Sequence, residues 1–171
     1  MSDYDRAITF DPKYAMAYFN RGIGKVELGD KKGAMSDYDR AITLDPRFVR
    51  AYVNRGAVKS ESGDKKGAIS DYDRAIAIDP QFAITYYNRG TNKAELGDKK
   101  GAMSDYDRAI AIDPQLAVAY VRRGGAKYDL ADRQGAIADF NIAARLFKEQ
   151  NNLTWYDKTI SLIKQISALL N

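Results

Sequence analysis

Apolar residues recur every three or four positions, the spacing of a helix, along most of the chain. Gly-Asp and Asp-Pro pairs interrupt this pattern at regular intervals. Residues 13–28 combine good helix formers with apolar residues at this spacing, which predicts a first helix, helix A. The pair Gly29-Asp30 breaks it. Residues 34–44 predict a second helix, helix B, which ends before Pro46 because a proline disfavours helical backbone at the preceding residue. The pattern therefore predicts hairpins of two antiparallel helices.

The same pattern returns every 34 residues. The word SDYDRAI begins at Ser2, Ser36, Ser70 and Ser104, and a weaker relative, ADFNIAA, begins at Ala138. Asp-Pro and Arg-Gly pairs keep the same period. One hairpin of two helices cannot bury its apolar face alone, so we expect neighbouring copies to stack.

Small and aromatic residues stand at fixed places in each copy. In the second full copy they are, in order, Tyr52, Gly56, Gly63-Asp64, Ala68, Tyr72, Ala75 and Pro80. This order and period resemble the tetratricopeptide repeat (TPR) family over residues 1–150, and the near-identical copies resemble a bacterial-type variant. The resemblance implies an all-α fold, a right-handed superhelical solenoid of antiparallel helix hairpins.

The predicted domain organisation is one solenoid, residues 1–150, followed by one further helix. Its parts are a truncated repeat with helix B only (residues 1–14), four full repeats (residues 15–48, 49–82, 83–116 and 117–150) and a C-terminal capping helix (residues 151–171). The last helix could instead occupy a groove, its own or that of a neighbouring chain. Because the first repeat lacks helix A, we expect the chain to be a fragment or to have been cut within a repeat.

Both ends carry apolar residues for which the repeat pattern supplies no partner. Two chains could cover these faces mutually, which predicts self-association. The residues of this predicted contact are Tyr4, Ile8, Trp155, Ile163 and Ile166.

The composition narrows the possible chemistry. The 171 residues include no histidine and no cysteine, which excludes Ser-His-Asp and Cys-His catalysis and thiolate or imidazole metal sites. The net charge is only +4, with both signs interspersed, so we expect neither nucleic acid nor a membrane as partner. Without a signal peptide or a membrane-spanning run, the sequence favours a cytoplasmic protein. We predict no enzymatic activity, no cofactor and no metal.

Two acids recur in every SDYDRAI word, Asp37 and Asp39 in the first full repeat. They cannot form a catalytic pair, because residues two apart on a helix point about 200° away from each other. Where TPR proteins usually have Leu and an aromatic residue, this chain has two basic columns: Arg21, Arg55, Arg89 and Arg123, and Lys25, Lys59, Lys93 and Lys127. We predict structural ion pairs between the arginines and the Asp37 column, with Asp39 solvated. The alternative is a phosphate-binding stripe of an RNA-binding protein.

A glycine recurs in the middle of every helix A, beginning with Gly22. Glycine inside a helix costs about 1 kcal/mol relative to alanine, so this column needs a compensating reason. We predict a close approach between helix A and helix B, with Ala34 opposite Gly22.

The repeats differ most along a second stripe of helix A, whose residues share one face. In the proteins that this chain resembles, that face lines a concave groove that holds an extended peptide or a helix. The predicted groove residues are Met16, Phe19, Asn20, Ile23, Val26, Arg50, Val53, Asn54, Ala57, Ile84, Tyr87, Asn88, Thr91, Val118, Val121, Arg122 and Tyr128. Some of the apolar residues could instead pack between neighbouring A helices.

These observations predict a protein-protein interaction scaffold that binds an apolar or amphipathic peptide or helix in the groove. One TPR subclass clamps acidic chaperone tails with Lys and Asn side chains, but Phe19 and Ile23 stand at two of those places, so we expect no such binding here. The alternative prediction is a structural or self-assembling repeat protein, natural or consensus-like, that oligomerises through its terminal helices.

Overall fold

The computed structural model describes residues 3–169, which form ten α-helices and no strand. The helices are α1 (Asp3–Phe10), α2 (Ala15–Glu27), α3 (Lys31–Leu44), α4 (Val49–Glu61), α5 (Lys65–Ile78), α6 (Ala83–Glu95), α7 (Lys99–Ile112), α8 (Ala117–Asp129), α9 (Arg133–Glu149) and α10 (Leu153–Ala168). The predicted all-α fold of helix hairpins is confirmed.

The described residues fall into two compact units, the first ending at Gln81 and the second beginning at Phe82. The first contains α1 to α5, and the second contains α6 to α10. Within each unit, helix A packs against helix B of the same hairpin, as α2 does on α3 and α6 on α7. Helix B then packs against the next helix A, as α3 does on α4 and α7 on α8, and α10 packs on α9.

A Gly-Asp pair forms the turn of the first full hairpin. Gly29 has a φ of +79°, in the left-handed region that glycine adopts without steric cost. The Asp30 carboxylate then accepts a hydrogen bond of 2.8 Å from the backbone N–H of Gly33 and caps the new helix. This cap starts α3 at Lys31, earlier than the predicted start at residue 34.

The glycine in the middle of helix A lies against an aromatic ring. A Cβ atom at Gly22 would lie 2.6 Å from Cε1 of Tyr38, well inside van der Waals contact. The predicted close approach is therefore confirmed, and the atoms nearest to the new Cβ belong to Tyr38. In the fourth repeat, Phe140 takes the place of the tyrosine, and the backbone oxygen of Ala136, the copy of Ala34, is also close.

Asp37 of α3 is buried, with 3% of its surface exposed, and is held by two cations of α2. It accepts hydrogen bonds of 2.9 and 2.6 Å from Nε and Nη2 of Arg21, and Nζ of Lys25 lies 2.8 Å away. Burial alone would raise the pKa of Asp37, but the hydrogen bonds from Arg21 and Lys25 outweigh this and lower it. The predicted pairing of the arginine column with the Asp37 column is confirmed.

Asp39 joins neighbouring repeats. Its side chain is 58% exposed, as expected for a solvated acid, but its carboxylate also lies 2.7 Å from Nη1 of Arg55 in the next hairpin. The expectation that Asp39 is simply solvated was therefore incomplete. In the second unit Arg123 makes the same bridge to Asp107, at 2.8 Å. These arginines thus connect two repeats as well as two helices.

Three buried tyrosines should make the stability of the fold depend on alkaline pH. Burial raises the pKa values of Tyr38, Tyr72 and Tyr106. Because the folded-state pKa lies above the unfolded value of about 10, their contribution to stability is complete below that pH and is lost above it. We expect unfolding above about pH 10, together with ionisation of these rings, in a titration that follows tyrosinate absorbance and circular dichroism. Ionisation of all tyrosines with the helices intact would contradict this.

Candidate functional site

The predicted groove stripe of the first unit lies on α2 and α4, and part of it belongs to the core. Phe19 and Val53 are only 5% and 6% exposed. The ring of Phe19 lies 4.8 Å from that of Phe48 and 6.0 Å from that of Tyr38, measured between centroids. These two side chains therefore serve packing and offer a partner little surface.

The rest of this stripe is more accessible. Met16 is 40% exposed and Arg50 is exposed, and they offer an apolar and a charged side chain. Asn54 lies near the Tyr38 hydroxyl, where it acts to lower the pKa of Tyr38 against the larger effect of burial. The half-buried members are Asn20, Ile23, Val26, Asn54 and Ala57.

The second unit contains a cavity of about 580 Å³, bordered by α6 and α8, by the helices packed behind them and by α10. Its size falls within the range of about 300–1,000 Å³ that is typical of ligand sites. The lining residues are Thr91, Ala94, Glu95, Lys99, Ala102, Tyr106, Val121, Arg122, Gly125, Ala126, Tyr128, Asp129, Phe140, Leu162, Gln165, Ile166 and Leu169.

Four predicted groove residues line this cavity: Thr91, Val121, Arg122 and Tyr128. The other predicted members in this unit are half-buried on the same helices and are not part of the lining: Ile84, Tyr87, Asn88 and Val118.

The sequence did not predict that α10 forms one wall of the cavity. The relevant signal was the apolar stripe of the last helix, which the predictions assigned to capping and self-association, with occupation of a groove as the alternative. The stripe does meet α9, because Ile166 packs against Phe140, but its flanking leucines border the cavity. The lining residues from this part of the chain are Leu162, Gln165 and Ile166 of α10 and Leu169 directly after it.

Several polar groups line the cavity or contact its lining. The Arg122 guanidinium lies close enough to the Tyr87 hydroxyl to interact with it. Burial acts to lower the pKa of Arg122, but this interaction and the nearby negative groups raise it, so the side chain stays charged. Thr91 donates a 3.0 Å hydrogen bond to the carbonyl oxygen of Tyr87, and Nζ of Lys99 lies 3.5 Å from the Asp129 carboxylate. The site therefore combines apolar walls with charged and hydrogen-bonding groups.

The residues predicted for self-association differ in accessibility. Tyr4 and Trp155 are each 41% exposed, whereas Ile166 is only 6% exposed because it packs inside the second unit. Ile8 and Ile163 are half-buried, and the Trp155 ring stacks on that of Phe147 within the chain. Self-association stays a prediction.

Residues 3–169 contain no group of three or more acidic side chains placed to hold a metal ion. No helix in that range is both long enough and apolar enough to cross a membrane.

Comparison with models of known protein families assigns the chain to one of them. The family model of the ETO1 C-terminal domain matches residues 5–120, more than half of the 171 residues. The chain belongs to this family. The ETO1 C-terminal domain match ends within α8, so the cavity combines matched residues with others beyond the match, such as Tyr128 and the lining residues of α10.

Solved structures show which fold this member of the ETO1 C-terminal domain family adopts. A crystal structure of MamA is 24% identical, with a TM-score of 0.77, and the alignment covers 87% of each chain. YrrB, described as a TPR protein with an unusual peptide-binding site, is 18% identical, with a TM-score of 0.74 and coverage of 96% of this chain and 92% of YrrB. The predicted TPR fold is therefore confirmed.

A third structure shows a TPR unit with a ligand. The first TPR of Spaghetti (RPAP3), bound to the HSP90 peptide SRMEEVD, is 22% identical, with a TM-score of 0.67 and coverage of 68% of this chain and 95% of the other. At these identities the similarity establishes the fold alone. No curated protein matches the sequence.

Proposed function

We propose that this protein is a non-enzymatic scaffold that binds an apolar or amphipathic segment of a partner protein. The segment lies on the predicted groove residues of the A helices, which we call the inner stripe. The observation that carries the proposal is the cavity of about 580 Å³ in the second unit, because residues of the most variable stripe line it. The columns that stay constant between repeats, such as those of Gly22 and Asp37, are occupied with contacts inside the hairpins.

The structural relatives support this choice of function. YrrB is described as having a peptide-binding site, and the Spaghetti TPR holds an HSP90 peptide. In this chain the exposed groups of the stripe fit an amphipathic segment, since Met16 and Tyr128 offer apolar surface and Arg50 offers a charge. The absence of chaperone-tail binding stays a prediction, based on Phe19 and Ile23 at two of the clamp positions.

The proposed function is tested by panning a displayed library of random short peptides on the purified chain. Enriched peptides are then synthesised, and their affinities are measured by fluorescence anisotropy. We expect Tyr128→Glu to weaken binding of peptides that occupy the second unit about tenfold, and Met16→Glu to do the same for peptides that occupy the first, because each places a charge on apolar surface of the stripe at a cost of roughly 1.4 kcal/mol.

Matched controls come from exposed leucines at the ends of the same helices. Leu28, after α2, is 87% exposed, and Leu130, after α8, is 53% exposed; neither belongs to the predicted stripe. Leu28→Glu and Leu130→Glu should leave affinity within about twofold of the unaltered chain. The proposal fails if no peptide is enriched, or if the control substitutions weaken binding as much as the inner ones.

A further inference from the structure

The C-terminal helix presents two leucines toward the cavity of the second unit. Leu162 is 38% exposed and Leu169 is 62% exposed, and both line the cavity. Between them on the same stripe, Ile166 is 6% exposed and packs against Phe140 of α9. Packing on α9 therefore uses the middle of the stripe and leaves the two leucines accessible.

Gly125 of α8 also lines the cavity and leaves space beside it. A Cβ atom at Gly125 would meet no heavy atom within 4 Å beyond its own part of the helix, as far as the described residues go. The same place holds Ile23, Ala57 and Thr91 in the other repeats, so the fourth repeat has the smallest side chain there. The absence of a side chain at Gly125 therefore leaves room in the cavity beside α8.

The charges around the cavity are unequally compensated. Lys99 and Asp129 form an ion pair, with 3.5 Å between Nζ and the carboxylate, and Glu95 also has an interaction partner. Among the groups that act on Arg122, the Tyr87 hydroxyl has the largest effect and the Glu95 carboxylate the smallest. The corresponding places of the three other repeats hold asparagines, Asn20, Asn54 and Asn88. The fourth repeat thus adds one positive charge to an apolar site, which favours a carboxylate on the ligand.

We propose that Leu162 of α10 and Leu169 directly after it complete the binding site of the second unit, which takes a peptide segment with bulky aliphatic side chains beside a carboxylate. The aliphatic side chains lie between these leucines and the open surface at Gly125. The carboxylate pairs with the Arg122 guanidinium. This assignment rests on the proposed function. Beyond that function, it names the residues of one further wall of the site and the chemical class of the ligand.

The test uses the same displayed library and the whole chain. We expect the enriched peptides to combine aliphatic residues with Asp or Glu, and the double variant Leu162→Ala/Leu169→Ala to bind them about tenfold more weakly. The matched control is Leu153→Ala, because Leu153 is 56% exposed on the same helix and does not line the cavity. It should bind as the unaltered chain does. Thermal unfolding of each variant checks that α10 is retained.

The role of Arg122 is tested by Arg122→Asn, which installs the residue that the other repeats carry. We expect it to weaken binding of the acidic peptides about tenfold, but not of versions in which Gln or Asn replaces the acid. Arg145→Gln serves as control, since Arg145 is exposed on α9 and pairs with Glu149.

The outcomes separate this inference from the proposed function. If Tyr128→Glu weakens binding while the leucine pair or Arg122→Asn has no effect, the inference is contradicted and the proposed function stands. If no substitution on the inner stripe or α10 changes binding, both are contradicted. Loss of binding in both the leucine and the arginine variants, with unchanged controls, supports both.

Discussion

Asp71→Asn should lower the free energy of unfolding by about 3 kcal/mol, the loss typical of removing one partner from a buried ion pair. Asp71 is 4% exposed and accepts hydrogen bonds from Nε and Nη2 of Arg55, at 2.9 and 2.5 Å. Nζ of Lys59 lies 2.8 Å from the same carboxylate. Asparagine keeps the shape of the side chain but removes the negative charge, so two partly buried cations lose their counter-ion.

The matched control for Asp71 is Asp39→Asn, because Asp39 contacts the same Arg55 from an exposed position. Exposed pairs contribute about 0–1 kcal/mol, so this variant should stay within 1 kcal/mol of the unaltered chain. Urea unfolding followed by circular dichroism measures both. Equal losses for the two variants, or no loss for Asp71→Asn, would show that burial of the pair does not matter.

Gly22→Ala and Gly24→Ala should change stability in opposite directions, although they lie two residues apart in α2. A Cβ at Gly22 would lie 2.6 Å from the Tyr38 ring, and overpacking of this kind typically costs about 1–3 kcal/mol. At Gly24 no atom of the described residues beyond its own helical turn comes within 4 Å of the new Cβ. Alanine should therefore stabilise the helix there by about 0.5–1 kcal/mol.

Thermal and urea unfolding of the two glycine variants, measured side by side, decide this prediction. A second pair repeats it in the fourth repeat, where a Cβ at Gly124 would meet the ring of Phe140 at 2.9 Å and one at Gly125 meets open space. If Gly22→Ala stabilised the chain as Gly24→Ala does, helices α2 and α3 would not approach as closely as described.

The helices themselves could be predicted from the sequence because their causes are local. The period of 34 residues, the Gly-Asp turns and the Asp-Pro stops placed each hairpin. The start of helix B was missed by a few residues because Lys31 and Lys32 carry no apolar signal, and the Asp30 cap decides the boundary.

Contacts between helices were only partly predictable. The sequence placed Gly22 and Arg21 on the face toward helix B, but whether Tyr38 or Ala34 meets the glycine depends on the distance and rotation of two helices, which no local pattern contains. The bridge from Asp39 to Arg55 likewise depends on how one hairpin stacks on the next.

In the candidate site, too, the features with local causes could be predicted from the sequence and those that depend on tertiary packing could not. Variation between the repeats pointed to Val121 and Arg122, because a changing column is visible in one sequence with internal copies. The same variation also selected Phe19, whose burial depends on Phe48 at the start of the next hairpin. The wall formed by α10 could not be predicted, since the packing of Ile166 on Phe140 decides which side of that helix faces the cavity.

If the constant columns build the scaffold and the variable stripe binds the partner, an enriched peptide should change the backbone amide shifts of that stripe. Nuclear magnetic resonance of the isotopically labelled chain maps these shifts as the peptide is added. We expect the shifted amides to cluster on the inner stripe of the A helices, above all around Val121 and Arg122, and around Leu162 and Leu169. Shifts confined to the exposed faces of the B helices, where the repeats agree, would contradict the account.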